Sequence, residues 1–218
     1  MVGRTKGQAE ATRDHILDIA ERVFEQRGVS RSSLQDIAQA AGVTRGAIYW
    51  HFENKADLFN AMFKRVTLPL EEAIGRSAHP EATDPVQEVR NSLLNALRKT
   101  VADPQVQRVF VIAMQKVEYV DELLAVRERR IKTREGCLQH VEVGLKRAMA
   151  AGRSGRRVLS ARSAAVGLHA LTSGLIDNWL LDPSAFDLVK VGTQALDAYL
   201  AGLALPTAAS PAIRRART

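Results

Sequence analysis

The chain has 218 residues, of which 46% are hydrophobic and 25% charged, and this composition excludes an intrinsically disordered chain. Its 31 lysine and arginine residues exceed its 24 aspartate and glutamate residues, and the resulting net charge of +7 suits an anionic partner. The first residues lack the apolar core of a signal peptide, and no apolar run is long enough to span a bilayer. We therefore expect a cytoplasmic protein with no membrane association.

Apolar residues recur at helical spacing along nearly the whole chain, and no stretch shows sustained period-two alternation. Alanine and leucine are plentiful, and both favour helices. The predicted fold is all-α, with about nine helices. In chain order, the pattern predicts helices over residues 10–26, 33–41, 44–52, a longer stretch after Asn54, 86–101, 106–114, 122–151, 161–181 and 186–203.

A pair of short helices joined by a glycine-containing turn is the sharpest local pattern. Gly42 permits the left-handed backbone that a tight turn requires. Ser32 or Ser33 can cap the first helix of the pair, and Thr44 can cap the second. Apolar residues on both sides of the turn supply the packing between the helices. These features predict a helix-turn-helix, whose second helix enters the major groove of DNA.

The second helix presents small residues at the end that would meet DNA. Gly46 and Ala47 allow a close approach to the groove, and Arg45 is a natural bidentate partner of guanine. Ahead of the first helix, Arg4 and Lys6 form either a basic arm that reaches the DNA or a solvated terminus. The groups suited to phosphate contacts are Ser33, Thr44, Tyr49, His51 and Lys55.

Two stretches of the N-terminal region carry a family resemblance. Residues 12–28 resemble the first helix of TetR-family transcriptional repressors. Residues 36–55, with DIA, AGVTRGAIYWHF and NK, are similar to that family's DNA-binding signature, in particular to its AcrR-like branch, which controls multidrug efflux pumps. The specific match covers residues 4–65, and the rest is similar in outline, with the run GLIDNWL at 174–180.

The resemblance implies a homodimeric repressor that binds a palindromic operator and is released by a small ligand. It implies a DNA-binding domain at residues 1–55 and a helical ligand-binding and dimerisation domain at 56–205, followed by a basic tail at 206–218 that we expect to be disordered. By position, Arg45, Gly46 and Ala47 would contact bases. The phosphate contacts would come from Ser33, Thr44, Tyr49, Trp50, His51 and Lys55, and Arg4 and Lys6 would lie where some members carry a basic arm.

The family analogy also places the dimer interface on the last two helices, residues 161–181 and 186–203. Excess apolar surface on the first of them favours an interface between copies, while the alternative is a core within one chain. The candidate interface residues are Ala164, Gly167, Leu168, Leu171, Leu175, Trp179, Leu196 and Tyr199.

A ligand pocket would lie between the helices of residues 86–149 and the helix that begins at residue 161. Methionine and aromatic walls adapt to apolar guests, so the expected ligand is small and largely apolar; an ordinary core has the same composition. Some members of the family carry polar groups at the pocket positions that Phe110, Met114 and Ser173 occupy here. This difference indicates a less polar pocket in this chain. The candidate ligand-binding residues are Leu93, Leu97, Phe110, Met114, Leu145, Met149, His169 and Ser173.

Other patterns give no support to an enzyme. Cys137 and His140 could form half of a metal site, but the cysteine is single and the other histidines are scattered, so we expect no metal. No phosphate-binding glycine loop or nucleophile elbow occurs, and we expect no catalytic residues and no cofactor. Two alternatives to a ligand-released repressor remain, namely a ligand-independent DNA-binding regulator and a helical interaction protein.

Overall fold

The computed structural model describes residues 6–76, 84–151 and 159–203, and every regular element among them is helical. This confirms the predicted all-α class and the predicted number of helices. Arg4 and the 206–218 tail lie outside the described residues. The helices are α1 (Lys6–Arg27), α2 (Leu34–Ala40), α3 (Arg45–His51), α4 (Lys55–Gly75), α5 (Pro85–Ala102), α6 (Pro104–Gln115), α7 (Leu124–Ala151), α8 (Ala161–Leu181) and α9 (Leu188–Gly202), with a short 3-10 turn at Asp121–Leu123.

Side-chain caps define where several of the later helices begin. The Asp103 carboxylate accepts the Gln105 N–H at 2.9 Å, and Pro104 occupies the first turn of α6, where its missing N–H costs no hydrogen bond. Ser160 Oγ accepts the Ser163 N–H at 3.0 Å at the start of α8. Each cap satisfies backbone donors that a helix leaves unpaired at its N-terminus.

By contacts, the chain divides into two compact units. The first comprises Met1–Pro69 and Ala102–Arg134, and the second comprises Leu70–Val101 and Glu135–Thr218. Helices α4 and α7 each begin in the first unit and end in the second. The sequence-based boundary after residue 55 divides a DNA-binding domain from a ligand-binding and dimerisation domain. This functional division stays a prediction.

The core of the first unit is built from α1 to α4. The Phe24 and Phe59 rings lie 6.3 Å apart between centroids, and Phe59 stacks on Phe63 at 6.2 Å. Helix α6 also packs against α1. Large side chains buried in this unit include Ile16, Leu17, Phe24, Ile37, Ile48, Phe52, Leu58, Phe59 and Met62.

In the second unit, α8 and α9 pack closely within one chain. A Cβ at Gly167 would overlap the Tyr199 side chain, whose hydroxyl donates to the Ala164 carbonyl at 3.3 Å. Arg90 of α5 binds Asp197 of α9 through two charge-assisted hydrogen bonds, at 2.5 and 2.9 Å. These contacts join α5, α8 and α9. None of the described helices is long and apolar enough to cross a membrane.

Candidate nucleic-acid interface

The turn between α2 and α3 is stabilised by hydrogen bonds between residues close in sequence. Ser33 Oγ accepts the Asp36 N–H at 3.1 Å, while the Asp36 carboxylate accepts the Ser33 N–H at 2.9 Å, which completes a capping box. Gly42 has φ of 65°, and Thr44 Oγ1 then accepts the Ala47 N–H at 3.1 Å to start α3. The structure therefore contains the predicted helix-turn-helix, with Ser33 as the cap of α2.

Packing beneath the turn holds α3 in place. Ile37 of α2 and Ile48 of α3 have no exposed surface, and Phe52 at the end of α3 is also buried. The Arg13 guanidinium lies 5.1 Å from the centroid of the Phe52 ring, a cation–π contact between α1 and the end of α3. The buried side of α3 is thus packed against α1 and α2, and its exposed side can contact a partner.

The exposed side of α3 combines a cation, a glycine and two aromatic rings. Arg45 and Gly46 are exposed, and a Cβ at Gly46 would meet only Thr44 Oγ1, at 4.0 Å. The Arg45 guanidinium lies 5.6 Å from the centroid of the Tyr49 ring, which orients it along the helix. Trp50 is 72% exposed and Tyr49 47%, so both rings can contact a partner. Ala47 and His51 are half-buried at the edges of this surface.

Ser33 and Lys6 differ in their availability to DNA. The Ser33 hydroxyl donates to Asp36 Oδ2 at 2.6 Å, and its N–H donates to the same oxygen, so both donors of Ser33 serve the cap. The hydrogen bonds from the side chain and backbone of Ser33 lower the pKa of Asp36. Lys6, by contrast, is exposed, but it is the first residue of α1, so the expectation that it lies ahead of the first helix is wrong.

Lys55 differs from the sequence-based expectation of an exposed phosphate contact. Its side chain is only 5% exposed, and its ammonium donates to the Ser30 carbonyl at 3.1 Å. The same group forms an ion pair with Glu122 of the 3-10 turn at 3.1 Å. These two contacts connect α4 to the loop after α1 and to the residues before α7. The charge of Lys55 is thus buried and satisfied within the chain. We therefore leave it out of the proposed DNA contacts.

The candidate ligand-binding residues fall in both units. Phe110 and Met114 belong to the first unit, while the other six candidates belong to the second. Within the second unit, Ser173 Oγ lies 3.3 Å from His169 Nδ1 on the same face of α8. Leu93, Leu97 and Leu145 are buried, and Met149, His169 and Ser173 are half-buried.

The candidate dimer residues are largely covered within one chain. Ala164, Leu168 and Leu196 have no exposed surface, and Trp179 is nearly buried. Gly167, Leu171, Leu175 and Tyr199 are half-buried. On α8, the large apolar side chains that are exposed are Val166 and Leu181. They are absent from the candidates chosen from sequence, because this helix is apolar on nearly every side.

Cys137 and His140 both lie on α7. Within the described part of the chain, no cluster of three or more histidine, cysteine, aspartate or glutamate side chains could hold a metal ion. Burial, with a smaller contribution from the Glu71 carboxylate, raises the pKa of the Cys137 thiol to about 11. The thiol is therefore protonated at neutral pH.

Two family models match the sequence. The model of bacterial regulatory proteins of the TetR family matches residues 16–62. The model of the C-terminal region of MAATS-type transcriptional repressors matches residues 84–205. Together they account for the helix-turn-helix and for most of the helices that follow it.

Relatives of similar length cover nearly the whole chain. The HTH-type transcriptional regulator TtgR of Pseudomonas putida is 37% identical over 215 residues, which are 99% of this chain and 100% of TtgR. NalD, the secondary repressor of the MexAB-OprM multidrug efflux pump in Pseudomonas aeruginosa, is 37% identical with a TM-score of 0.82, over 91% of this chain and 98% of NalD. A complex of SmeT with triclosan is 31% identical with a TM-score of 0.80, over 88% of this chain and 91% of SmeT. SmeT is the repressor of the Stenotrophomonas maltophilia multidrug efflux pump SmeDEF.

These matches extend the resemblance seen in the N-terminal residues to nearly the whole chain. The relatives are transcriptional regulators, which agrees with the prediction that the protein is not an enzyme. With the helix-turn-helix described above, they show that this chain belongs to the TetR family of bacterial transcriptional regulators.

Proposed function

We propose that this chain represses transcription in the cytoplasm by binding a palindromic operator as a homodimer. The observation that carries the proposal is the exposed side of α3, where Arg45 and Gly46 adjoin the solvent-facing rings of Tyr49 and Trp50. Two such helices would enter successive major grooves, whose half-sites lie about 34–36 Å apart. A dimer that holds its two α3 helices near this spacing binds both half-sites at once.

The proposed contacts divide into base contacts and backbone contacts. Arg45 would donate to a guanine, while Gly46 and Ala47 bring the backbone of α3 close to the base edges. The Thr44 hydroxyl accepts within its cap and keeps its own proton for a phosphate oxygen. Further phosphate contacts would come from Tyr49, Trp50 and His51, from Lys6 at the start of α1 and from Arg4.

For the dimer, we propose that α8 and α9 meet their counterparts in a four-helix contact. The exposed Val166 and Leu181 and the half-buried Leu171 and Leu175 supply the apolar surface of α8. Ala164, Leu168 and Leu196 instead form the core beneath it, because they have no exposed surface within one chain.

The proposed signal is a small, largely apolar ligand, and the proposed target is a multidrug efflux operon. Support comes from the named roles of NalD and SmeT and from the bound triclosan of the SmeT complex. Ligand binding would favour a packing in which the two α3 helices no longer match the half-site spacing, so the DNA is released. Within the second unit, the candidate ligand-binding residues are Leu93, Leu97, Leu145, Met149, His169 and Ser173.

A selection of genomic fragments tests this function directly. The purified protein is mixed with sheared DNA from its own organism, and the retained fragments are sequenced with and without triclosan as the apolar probe. We expect a shared palindrome beside an efflux operon, and weaker retention when triclosan is present. Retained fragments without a common sequence would contradict the proposal of a sequence-specific repressor. A palindrome that is retained equally with and without triclosan would favour a ligand-independent regulator.

A further inference from the structure

Helix α1 carries three carboxylates on one face. Asp18, Glu21 and Glu25 are spaced three and four residues apart, so they lie one above another along the helix. Asp18 and Glu25 are about half exposed, whereas the Glu21 side chain is only 1% exposed. A buried carboxylate is costly unless it is paired and hydrogen-bonded, so the partners of Glu21 determine what it does.

Glu21 binds side chains from two other helices. Its Oε1 accepts from Arg65 of α4 at 2.5 Å and from Gln105 of α6 at 2.9 Å. Its Oε2 accepts from Arg108 of α6 at 3.3 Å. One buried carboxylate therefore joins α1, α4 and α6.

The neighbouring carboxylates of α1 reinforce both arginine contacts. Arg65 also binds Asp18 at 2.7 Å, and Arg108 also pairs with Glu25 at 3.4 Å. Burial opposes the charge of Arg65, but its bonds with Glu21 and Asp18 raise the pKa of the guanidinium above its usual value. The Arg65 guanidinium therefore keeps its charge, and with it both of its carboxylate contacts.

The far end of α6 is held by a second contact. The Val29 N–H, in the loop between α1 and α2, donates to the carbonyl of Lys116 just after α6, at 3.0 Å. Gln105 and Arg108 hold the beginning of α6, and Lys116 holds its end. Helix α6 is thus fixed along its length to α1 and to the loop that leads into the helix-turn-helix.

The backbone hydrogen bonding of α4 is interrupted one turn after Arg65, the residue of α4 that binds Glu21. Pro69 lies inside α4 and cannot donate to the carbonyl of Arg65, four residues earlier, so the hydrogen-bond ladder is interrupted there. The chain passes from the first unit to the second between Pro69 and Leu70. Arg65 therefore fixes the turn of α4 that ends at this interruption.

We propose that Glu21 is a positioning residue for operator binding. By fixing α4 and α6 to α1, it makes the orientation of the helix-turn-helix depend on these two helices, and so sets the separation of the two α3 helices in the dimer. The inference rests on the proposed function, because this separation matters only to a dimer that reads two half-sites. The Glu21 side chain is buried and is not itself a DNA contact.

The test compares a full palindrome with a single half-site. Glu21→Gln removes the charge of the buried carboxylate, and the control Glu128→Gln removes the same charge from an exposed position of α7. We expect Glu21→Gln to weaken binding of the full palindrome by roughly tenfold and to leave half-site binding within about twofold. Glu128→Gln should change neither by more than about twofold, since an exposed surface charge contributes little.

The possible outcomes separate the inference from the function on which it rests. Equal weakening of both duplexes by Glu21→Gln, or no weakening of either, would overturn the positioning role. A wild-type protein that selects no palindrome would instead overturn the proposed function. If Glu21→Gln does not fold, as judged by circular dichroism, Arg108→Gln decides the matter, because it removes the charged one of the two α6 contacts of Glu21 at a position that is 30% exposed.

Discussion

Arg45 is the residue on which base discrimination depends most directly. Its guanidinium lies at the exposed beginning of α3 and is oriented by the Tyr49 ring. Because a guanidinium binds guanine O6 and N7 together, we expect Arg45→Ala to weaken binding of the selected palindrome by about 1–3 kcal/mol and to change binding of random DNA little. Fluorescence anisotropy on both duplexes measures this. Arg22→Ala, which removes an exposed charge of α1, serves as the control, and equal losses on both duplexes would contradict base reading by Arg45.

Lys55 gives a second prediction at the scale of one residue. Its ammonium is satisfied by Ser30 and Glu122, so Lys55→Met should destabilise the fold by about 1–3 kcal/mol and leave the salt dependence of DNA binding unchanged. Lys64→Met removes an exposed charge from the same helix and should leave stability nearly unchanged. A plot of log affinity against log salt whose slope becomes shallower by about one unit would show that Lys55 contacts a phosphate after all.

At the scale of one element, the cap of α2 carries a pH dependence. The Ser33 hydroxyl and N–H hold the pKa of Asp36 below its ordinary value of 3.8, so the ionised carboxylate is favoured in the folded state. Its contribution to stability is present in full above pH 3.8 and is lost as pH falls through the lowered pKa of the folded protein.

Asp36→Ala should therefore lower the urea midpoint at neutral pH, and the difference from wild type should shrink as the buffer is acidified. Equilibrium unfolding at a series of pH values measures this difference. Asp57→Ala, which removes a carboxylate from the first turn of another helix, α4, is the comparison. A difference between Asp36→Ala and wild type that stays constant from neutral to acidic pH would show that the carboxylate charge does not stabilise the cap.

The contact of α8 with α9 gives a prediction about packing. A Cβ at Gly167 would overlap the Tyr199 side chain, so Gly167→Ala should destabilise the protein by about 1–3 kcal/mol. Gly136→Ala on α7, where a Cβ meets nothing within 4 Å, should be neutral or slightly stabilising, since alanine favours helices. Thermal unfolding compares the two variants. A neutral Gly167→Ala would mean that Tyr199 has room to move aside.

The elements differ in how well the sequence alone could predict them. The helix-turn-helix was predictable because its determinants, Ser33, Gly42 and Thr44, act on residues a few positions away. The burial of Lys55 and Glu21 was not, because their partners come from distant parts of the chain and a lone charged residue on a helix usually faces solvent. On α8, which is apolar nearly all round, sequence could not separate covered residues from exposed ones.

At the scale of the whole molecule, the proposed regulation requires that a signal from the C-terminal helices reach α3. The chain passes between the two units within α4, near the end of α5 and within α7. In the first unit, the buried Glu21 network and the Val29–Lys116 bond fix α4 and α6 to α1. We therefore expect a displacement of α6, or of the first-unit part of α4, to reach the helix-turn-helix through these contacts.

The central claim is that the chain reads a DNA sequence through α3, and one titration tests it most directly. Fluorescence anisotropy compares the DNA upstream of the chain's own gene with a scrambled duplex of the same composition, each at two salt concentrations. The account predicts a preference on the order of 10³ or more for the upstream DNA and affinities that fall steeply with salt. Weak and indistinguishable binding of the upstream DNA, the scrambled duplex and the palindrome from the genomic selection would contradict it.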